Sequence, residues 1–302
     1  MSKTIARCIL VGIVLTFGLV APVRRVRADD HHWTYEGAEG PEHWGELTPD
    51  YALCSAGQEQ SPVDISASAP LNAANIASSY DPSAVNIFNN GHTVQVNYDP
   101  GSTMTLEGGE YQLVQFHFHA HSEHTHAGQA APLEMHLVHK NAEGKLAVVG
   151  VWLEPGAENA AFAPVFDHLP ATAGDPQAVP GATVDADDLL PAERAYYRYN
   201  GSLTTPPCTE GVKWVMLDRS VAISQGQIDA FTGLFANDFR PTQSLNSRTF
   251  LGGKTDAAPL PGTGAAAGQP VYLLALGAIL LLAGLVVRRG RGVGSRETGN
   301  GK

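Results

Sequence analysis

The chain has 302 residues, 43% of them hydrophobic, and its 30 Asp and Glu outnumber its 19 Lys and Arg to give a formal net charge of −11. That balance argues against nucleic acid as a partner, because phosphate binding needs a basic face. The hydrophobic share is ample for one folded core. In chain order, Lys3 and Arg7 precede an apolar run over residues 8–23 and the small or branched residues of Val26-Arg27-Ala28. This is the pattern of a secretory signal peptide, residues 1–28, so the mature chain is expected to start at Asp29. From 29 to 255 no repeat or linker interrupts the sequence, and one domain is expected there. Alternating apolar segments at 85–88, 93–98, 104–106, 111–120, 133–139, 146–153, 196–199 and 212–217 predict a β-rich sheet. The clearest helix is 224–235, where Ser224 can cap and Ile228, Phe231, Leu234 and Phe235 share a face.

Residues 256–270 turn to Ala, Gly and Pro and read as a stalk. The 17 apolar residues 271–287 follow. As a helix they would reach about 25 Å, at the short limit for crossing a bilayer. Arg288, Arg289 and Arg291 open a basic tail, 288–302, which should stay cytoplasmic and leave the rest of the chain outside. Within the stalk, Leu260-Pro261-Gly262-Thr263-Gly264 resembles the sorting signal that sortases cut between Thr and Gly, placed in that family before an apolar helix and a basic tail. An exported protein at the cell surface is expected, anchored to the cell wall or held by a single membrane pass. The two ends, 1–28 and 264–302, hold ten of the 19 Lys and Arg and one of the 30 acids, so the part between them carries a net charge of −20. A solvated acidic surface accounts for this. Cys8 leaves with the signal peptide, and Cys54 and Cys208 remain as an even pair in an oxidising compartment, where a disulfide is expected. It would constrain the unfolded chain by about 5 kcal/mol at most.

Seven of the twelve histidines fall between His117 and His139. Alternation along a strand projects His117 and His119 from one face, their Cα atoms roughly 6.6 Å apart, with Phe116 and Phe118 on the other. In the run 134–139, Glu134, His136 and Val138 share a face, and an antiparallel neighbour would bring His136 to the first pair. Three neutral imidazoles with an open fourth position make a catalytic Zn²⁺ site.

The segments 115–125 and 134–139, with Gly201-Ser202-Leu203-Thr204-Thr205-Pro206-Pro207-Cys208, resemble the zinc and substrate motifs of α-class carbonic anhydrases. Supporting matches are His31-His32-Trp33, Gly40-Pro41-Glu42-His43-Trp44, Gln60-Ser61-Pro62-Val63-Asp64-Ile65 and Arg240-Pro241-Thr242-Gln243, so the resemblance spans nearly all of 31–252. It implies a mainly β (α+β) single domain built on a large, mostly antiparallel twisted central sheet with a few short helices. It also implies reversible hydration of carbon dioxide to bicarbonate. His117, His119 and His136 would hold zinc, with Gln115 and Glu134 accepting hydrogen bonds from the ligand rings. Glu134 is expected to serve His119. Thr204 would orient the hydroxide and donate to Glu123, and Thr205 would sit beside the product. Val138, Val148, Leu203 and Trp214 would wall the carbon dioxide pocket. His92 would carry protons, with Tyr35 and Asn90 holding the water path. His124 is expected to be buried and hydrogen-bonded, and His121 and His126 to lie at the surface. Carbon dioxide and bicarbonate are the expected small-molecule partners, and a homodimer is left open. Two rival readings are a non-catalytic zinc-binding or adhesion module on the same fold and a cupin-like iron site. The latter would need a Glu ligand.

Overall fold

The computed structural model describes residues 32–72 and 76–251. The expected signal peptide, stalk, sorting motif, membrane run and basic tail lie outside them. Among the described residues no helix is long and apolar enough to cross a membrane. The chain divides into two units, Met1–Thr255 and Asp256–Lys302, and every described residue belongs to the first.

The strands are β1 (Asp64–Ile65), β2 (Ala77–Ser79), β3 (Ser83–Asn89), β4 (Val94–Asn97), β5 (Thr103–Leu106), β6 (Gly109–Ala120), β7 (Thr125–His126), β8 (Leu133–Lys140), β9 (Leu146–Pro155), β10 (Gln177–Val184), β11 (Tyr196–Ser202), β12 (Glu210–Leu217) and β13 (Val221–Ile223). The helices are α1 (Trp44–Leu47), α2 (Leu53–Ala56), α3 (Ala163–Phe166) and α4 (Gln225–Thr232). Eleven strands form one sheet in the order β10-β3-β4-β6-β8-β9-β12-β11, with β5 also on β6, β2 on β5 and β13 on β9. Its pairings are antiparallel except where β12 and β13 run parallel to β9, so the sheet is mixed. Strands β1 and β7 form a separate parallel pair.

The alternation that predicted these strands also sorts their side chains between two layers. On one face of β6 and β8, Phe116, Phe118, Leu133, Met135 and Leu137 enter the main apolar core. There Phe118 meets Phe166 of α3 at 5.2 Å and Phe231 of α4 at 5.7 Å between centroids. Truncating such a ring costs about 3–5 kcal/mol, and Phe118 ties both helices to the sheet. The opposite face carries a smaller cluster that includes Val148, Tyr199 and Trp214. Strand β8 lies between β6 and β9, and seven of its eight residues are buried or half-buried. Polar side chains on it must therefore find partners within the protein.

Helix α4 is capped as expected: Ser224 Oγ accepts from the Gln227 N–H, and Gln227 Oε1 accepts from the Ser224 N–H at 3.0 Å. It stops at Thr232 rather than 235, yet Leu234 and Phe235 still pack against the core. Strand β10 was hidden in the sequence by Pro180-Gly181. It is tolerated as an edge strand whose register to β3 shifts between Ala178 and Thr183.

His139 sits in the main core face of β8, fully buried. Its Nδ1–H donates to Leu137 O at 3.0 Å and its Nε2 accepts from the Tyr80 hydroxyl at 2.7 Å. Burial pulls its pKa from 6.5 down to about 4. The unfolded chain therefore takes up this proton first, and stability is complete above 6.5 and falls as pH drops toward 4, by about 3 kcal/mol in all. Urea unfolding of the wild type and His139→Gln between pH 7.5 and 4.5 should show the wild type losing about 2 kcal/mol more than the variant. Equal losses in the two proteins would contradict this.

Candidate metal centre

The antiparallel register of β6 and β8 sets His117 directly opposite His136, and His119 opposite Glu134. The three imidazoles come together, with ring centroids 5.1 Å apart for His117 and His119, 5.2 Å for His117 and His136, and 4.7 Å for His119 and His136. One nitrogen from each lies within 4.8 Å of the others, close enough to hold a metal ion.

The far nitrogen of each ring is engaged by an acceptor, which fixes its tautomer. His117 Nδ1–H donates to Gln115 Oε1 at 2.9 Å, His119 Nδ1–H to the Asp238 carbonyl at 2.7 Å, and His136 Nε2–H to Glu134 Oε1 at 2.6 Å. The lone pairs of His117 Nε2, His119 Nε2 and His136 Nδ1 are left to converge. His119 Nε2 is buried with no hydrogen-bond partner among the described residues, which is what a nitrogen reserved for a metal ion requires. Burial, and then the neighbouring imidazoles His119 and His136, push His117 well below its usual pKa, and burial lowers His136 despite the attraction of Glu134. Neutral rings are the form that binds a cation.

Glu134 does not serve His119 as the resemblance implied. Its Oε1 accepts from His136 and from His124 Nδ1–H at 2.7 Å, and its Oε2 accepts from the His124 backbone N–H at 2.8 Å. The partner of His119 is a main-chain carbonyl from residue 238, far along the sequence. Burial alone would raise the Glu134 pKa, but its interactions with the His124 and His136 rings, their hydrogen bonds included, hold it well below the usual carboxylate range. The chain continues: His124 Nε2 accepts from the Tyr199 hydroxyl at 2.6 Å, whose oxygen lies 2.9 Å from Ser61 Oγ, and Ser61 Oγ accepts from the Ser202 N–H at 3.1 Å. His124, Glu134 and His136 are also near enough for a metal, but their facing atoms are consumed by these bonds.

The triad lies on a cleft of about 190 Å³. Tyr35, Asn90, His92, Gln115, Val138, Val148, Leu203, Thr204, Thr205 and Trp214 all line it, and so do Trp33, Thr93 and Gln95, for which no site role was expected. The His92 ring stacks on Trp33 with centroids 3.7 Å apart and planes 8° from parallel. The side chain of Asn90 shapes the turn, its Oδ1 accepting from the N–H groups of His92 and Thr93, both at 2.9 Å. Glu123 is buried behind the triad. Its Oε1 accepts from the Arg240 N–H at 2.9 Å, and its Oε2 lies 3.6 Å from His119 Nε2 and 3.9 Å from His136 Nδ1. That Oε2 has no hydrogen-bond partner among the described residues, so the expected Thr204 to Glu123 bond is not formed.

Cys54 and Cys208 form the expected disulfide, with Cα atoms 5.0 Å apart. Beside it the fully buried Arg240 donates to Gln60 Oε1, Ser61 O and Cys54 O, while Gln60 donates to Cys208 O at 3.1 Å. His121 is exposed as expected. His126 is only half exposed: β7 pairs with β1, and the ring stacks against Trp152.

A family model described as eukaryotic-type carbonic anhydrase matches residues 39–251. The chain belongs to that family. It is 41% identical over 234 residues to a carbonic anhydrase of Nostoc sp., covering 74% of this chain and 87% of the relative. It is 42% identical over 222 residues to one from Neisseria gonorrhoeae, covering 73% and 87%. Among solved structures, the α-carbonic anhydrase of Thermovibrio ammonificans, in complex with the inhibitor sulfanilamide, matches with a TM-score of 0.70 at 40% identity, over 73% of this chain and 98% of that one. The protein is therefore an enzyme, a carbonic anhydrase with a small-molecule substrate, and its histidine triad is able to hold a metal ion. In this carbonic anhydrase Glu134→Gln should weaken zinc binding roughly 10- to 100-fold, because the His136 ring loses a charged acceptor. Competition against a chelator measures this, and an unchanged affinity would remove Glu134 from the metal centre.

Proposed function

We propose that the enzyme holds zinc on His117, His119 and His136 and catalyses the reversible conversion of carbon dioxide and water to bicarbonate and a proton. The observation that carries this reading is the convergence of three imidazole nitrogens, each left free by an acceptor on its far side, at a cleft that is apolar along one wall. Zinc, when bound, acidifies a water to a pKa of about 7, the value known from carbonic anhydrase itself, and so supplies a hydroxide nucleophile at neutral pH.

The chain's own residues do the rest. Gln115, Glu134 and the Asp238 carbonyl hold the three rings in the tautomers and orientations that binding needs. Val138, Val148, Leu203 and Trp214 give an uncharged substrate a surface from which water is excluded without hydrogen bonds that would hold it back. Thr204, on the cleft beside the triad, would accept a hydrogen bond from the nucleophile once its own hydroxyl rotated toward Glu123 Oε2, a contact absent from this structure that the partnerless lone pairs of that oxygen leave open. Thr205, beside it on the cleft, meets the product. His92 takes the released proton to bulk water, a task suited to an imidazole at neutral pH.

The protein is proposed to work outside the cytoplasm. The Cys54–Cys208 disulfide suits an oxidising compartment, and the leader and C-terminal anchor patterns agree with it. The sorting motif 260–264 and the run 271–287 would tether the domain to the cell surface.

Stopped-flow measurement of carbon dioxide hydration tests the reading. His117→Ala should lose zinc and at least about a thousandfold in kcat/KM, since the nucleophile depends on the metal. Equal activity in wild type and variant would end it. His92→Ala should lower kcat about tenfold to a hundredfold with kcat/KM unchanged, and imidazole buffer should restore it. A drop that imidazole does not repair would assign His92 another role.

A further inference from the structure

A second cavity, of about 250 Å³, is bounded by β7 and the turn after it, by β9, and by the loop leaving β12. It shares no lining residue with the histidine cleft. One wall is aromatic: the His126 ring lies 5.8 Å from Trp152 and 28° from parallel, with Tyr197 at 5.8 Å on another side. Trp152 is nearly buried and its indole N–H donates to His124 O at 3.2 Å, which fixes its orientation. The rim is acidic. Glu154 is exposed at the end of β9, and Asp218 accepts from the Tyr197 hydroxyl at 3.0 Å through Oδ1, while Oδ2 faces the exposed guanidinium of Arg219 at 3.6 Å. His126 Nε2 is enclosed and has no hydrogen-bond partner among the described residues.

These groups share one preference. Carboxylates accept, an imidazole nitrogen can accept, and the face of an indole attracts positive charge. No Lys or Arg lines the cavity. Two carboxylates disfavour an anion, and the His and acid groups close enough to hold a metal ion, among the described residues, are the triad and the His124–Glu134–His136 group behind it, none of which lines this cavity. We infer that this cavity is a binding site for a small organic cation carrying N–H groups, an alkylammonium or guanidinium, with its charge over Trp152 and its N–H groups directed to His126 Nε2, Glu154 and Asp218.

The experiment follows the Trp152 indole and His126 ring signals of the intact protein by NMR during titration with methylguanidinium chloride, with tetramethylammonium chloride as the cation that cannot donate. Methylguanidinium should shift both signals saturably in the millimolar range and bind about tenfold more tightly than tetramethylammonium, the difference expected for charge-assisted hydrogen bonds. Glu154→Gln and Asp218→Asn should each weaken it about threefold, and Glu154→Gln should leave carbon dioxide hydration unchanged. Absence of a saturable shift would overturn the inference. So would equal binding of the two cations, or affinity indifferent to both substitutions.

Discussion

The carboxylate of Glu134 is the point on which the centre turns. Strand β8 is covered on both sides, so a charge there survives only if every oxygen is satisfied, and His124 and His136 together supply three hydrogen bonds to it. That arrangement fixes the face His136 shows to the cleft. Through His124, Tyr199 and Ser61 it also runs back to Ser202, the residue from which the Leu203-Thr204-Thr205 segment departs. A metal ligand and a substrate wall are thus referred to one rigid frame.

A second buried charge braces the other side. Arg240 spends its guanidinium on main-chain and amide oxygens of the N-terminal segment and its backbone N–H on Glu123. Together with the disulfide, it fastens residues 54–61 to the loop that carries Cys208. The termini of the domain are in this way part of the scaffold of the cleft. A truncation before Gln60 would remove more than the short helices α1 and α2.

Much of this was legible in the residues. Strand alternation has a strict period of two, so the shared face of His117 and His119, and that of Glu134 and His136, could be read directly, and the Ser224 cap announces itself by residue type. Other features carry no local mark. The acceptor for His119 is a backbone carbonyl, which any residue at 238 would provide, and its proximity is a property of the fold. The resemblance pointed Glu134 to His119, which it faces in the register, but its carboxylate reaches along its own strand to His136 instead. Pro180-Gly181 disguised β10 because the rule against such residues in strands is relaxed at an edge. His126 looked solvent-facing because nothing in its neighbourhood of small and polar residues foretold Trp152 arriving from β9.

The tautomer of every ring in the triad is set by protein acceptors rather than by the ion. Loading therefore asks for no proton shuffling among the ligands and little rearrangement of their side chains. The scaffold has met that entropic cost during folding, so the empty and filled forms should differ mainly in the cation itself, and exchange of one metal for another should be limited by escape from the cleft more than by reorganisation of its walls.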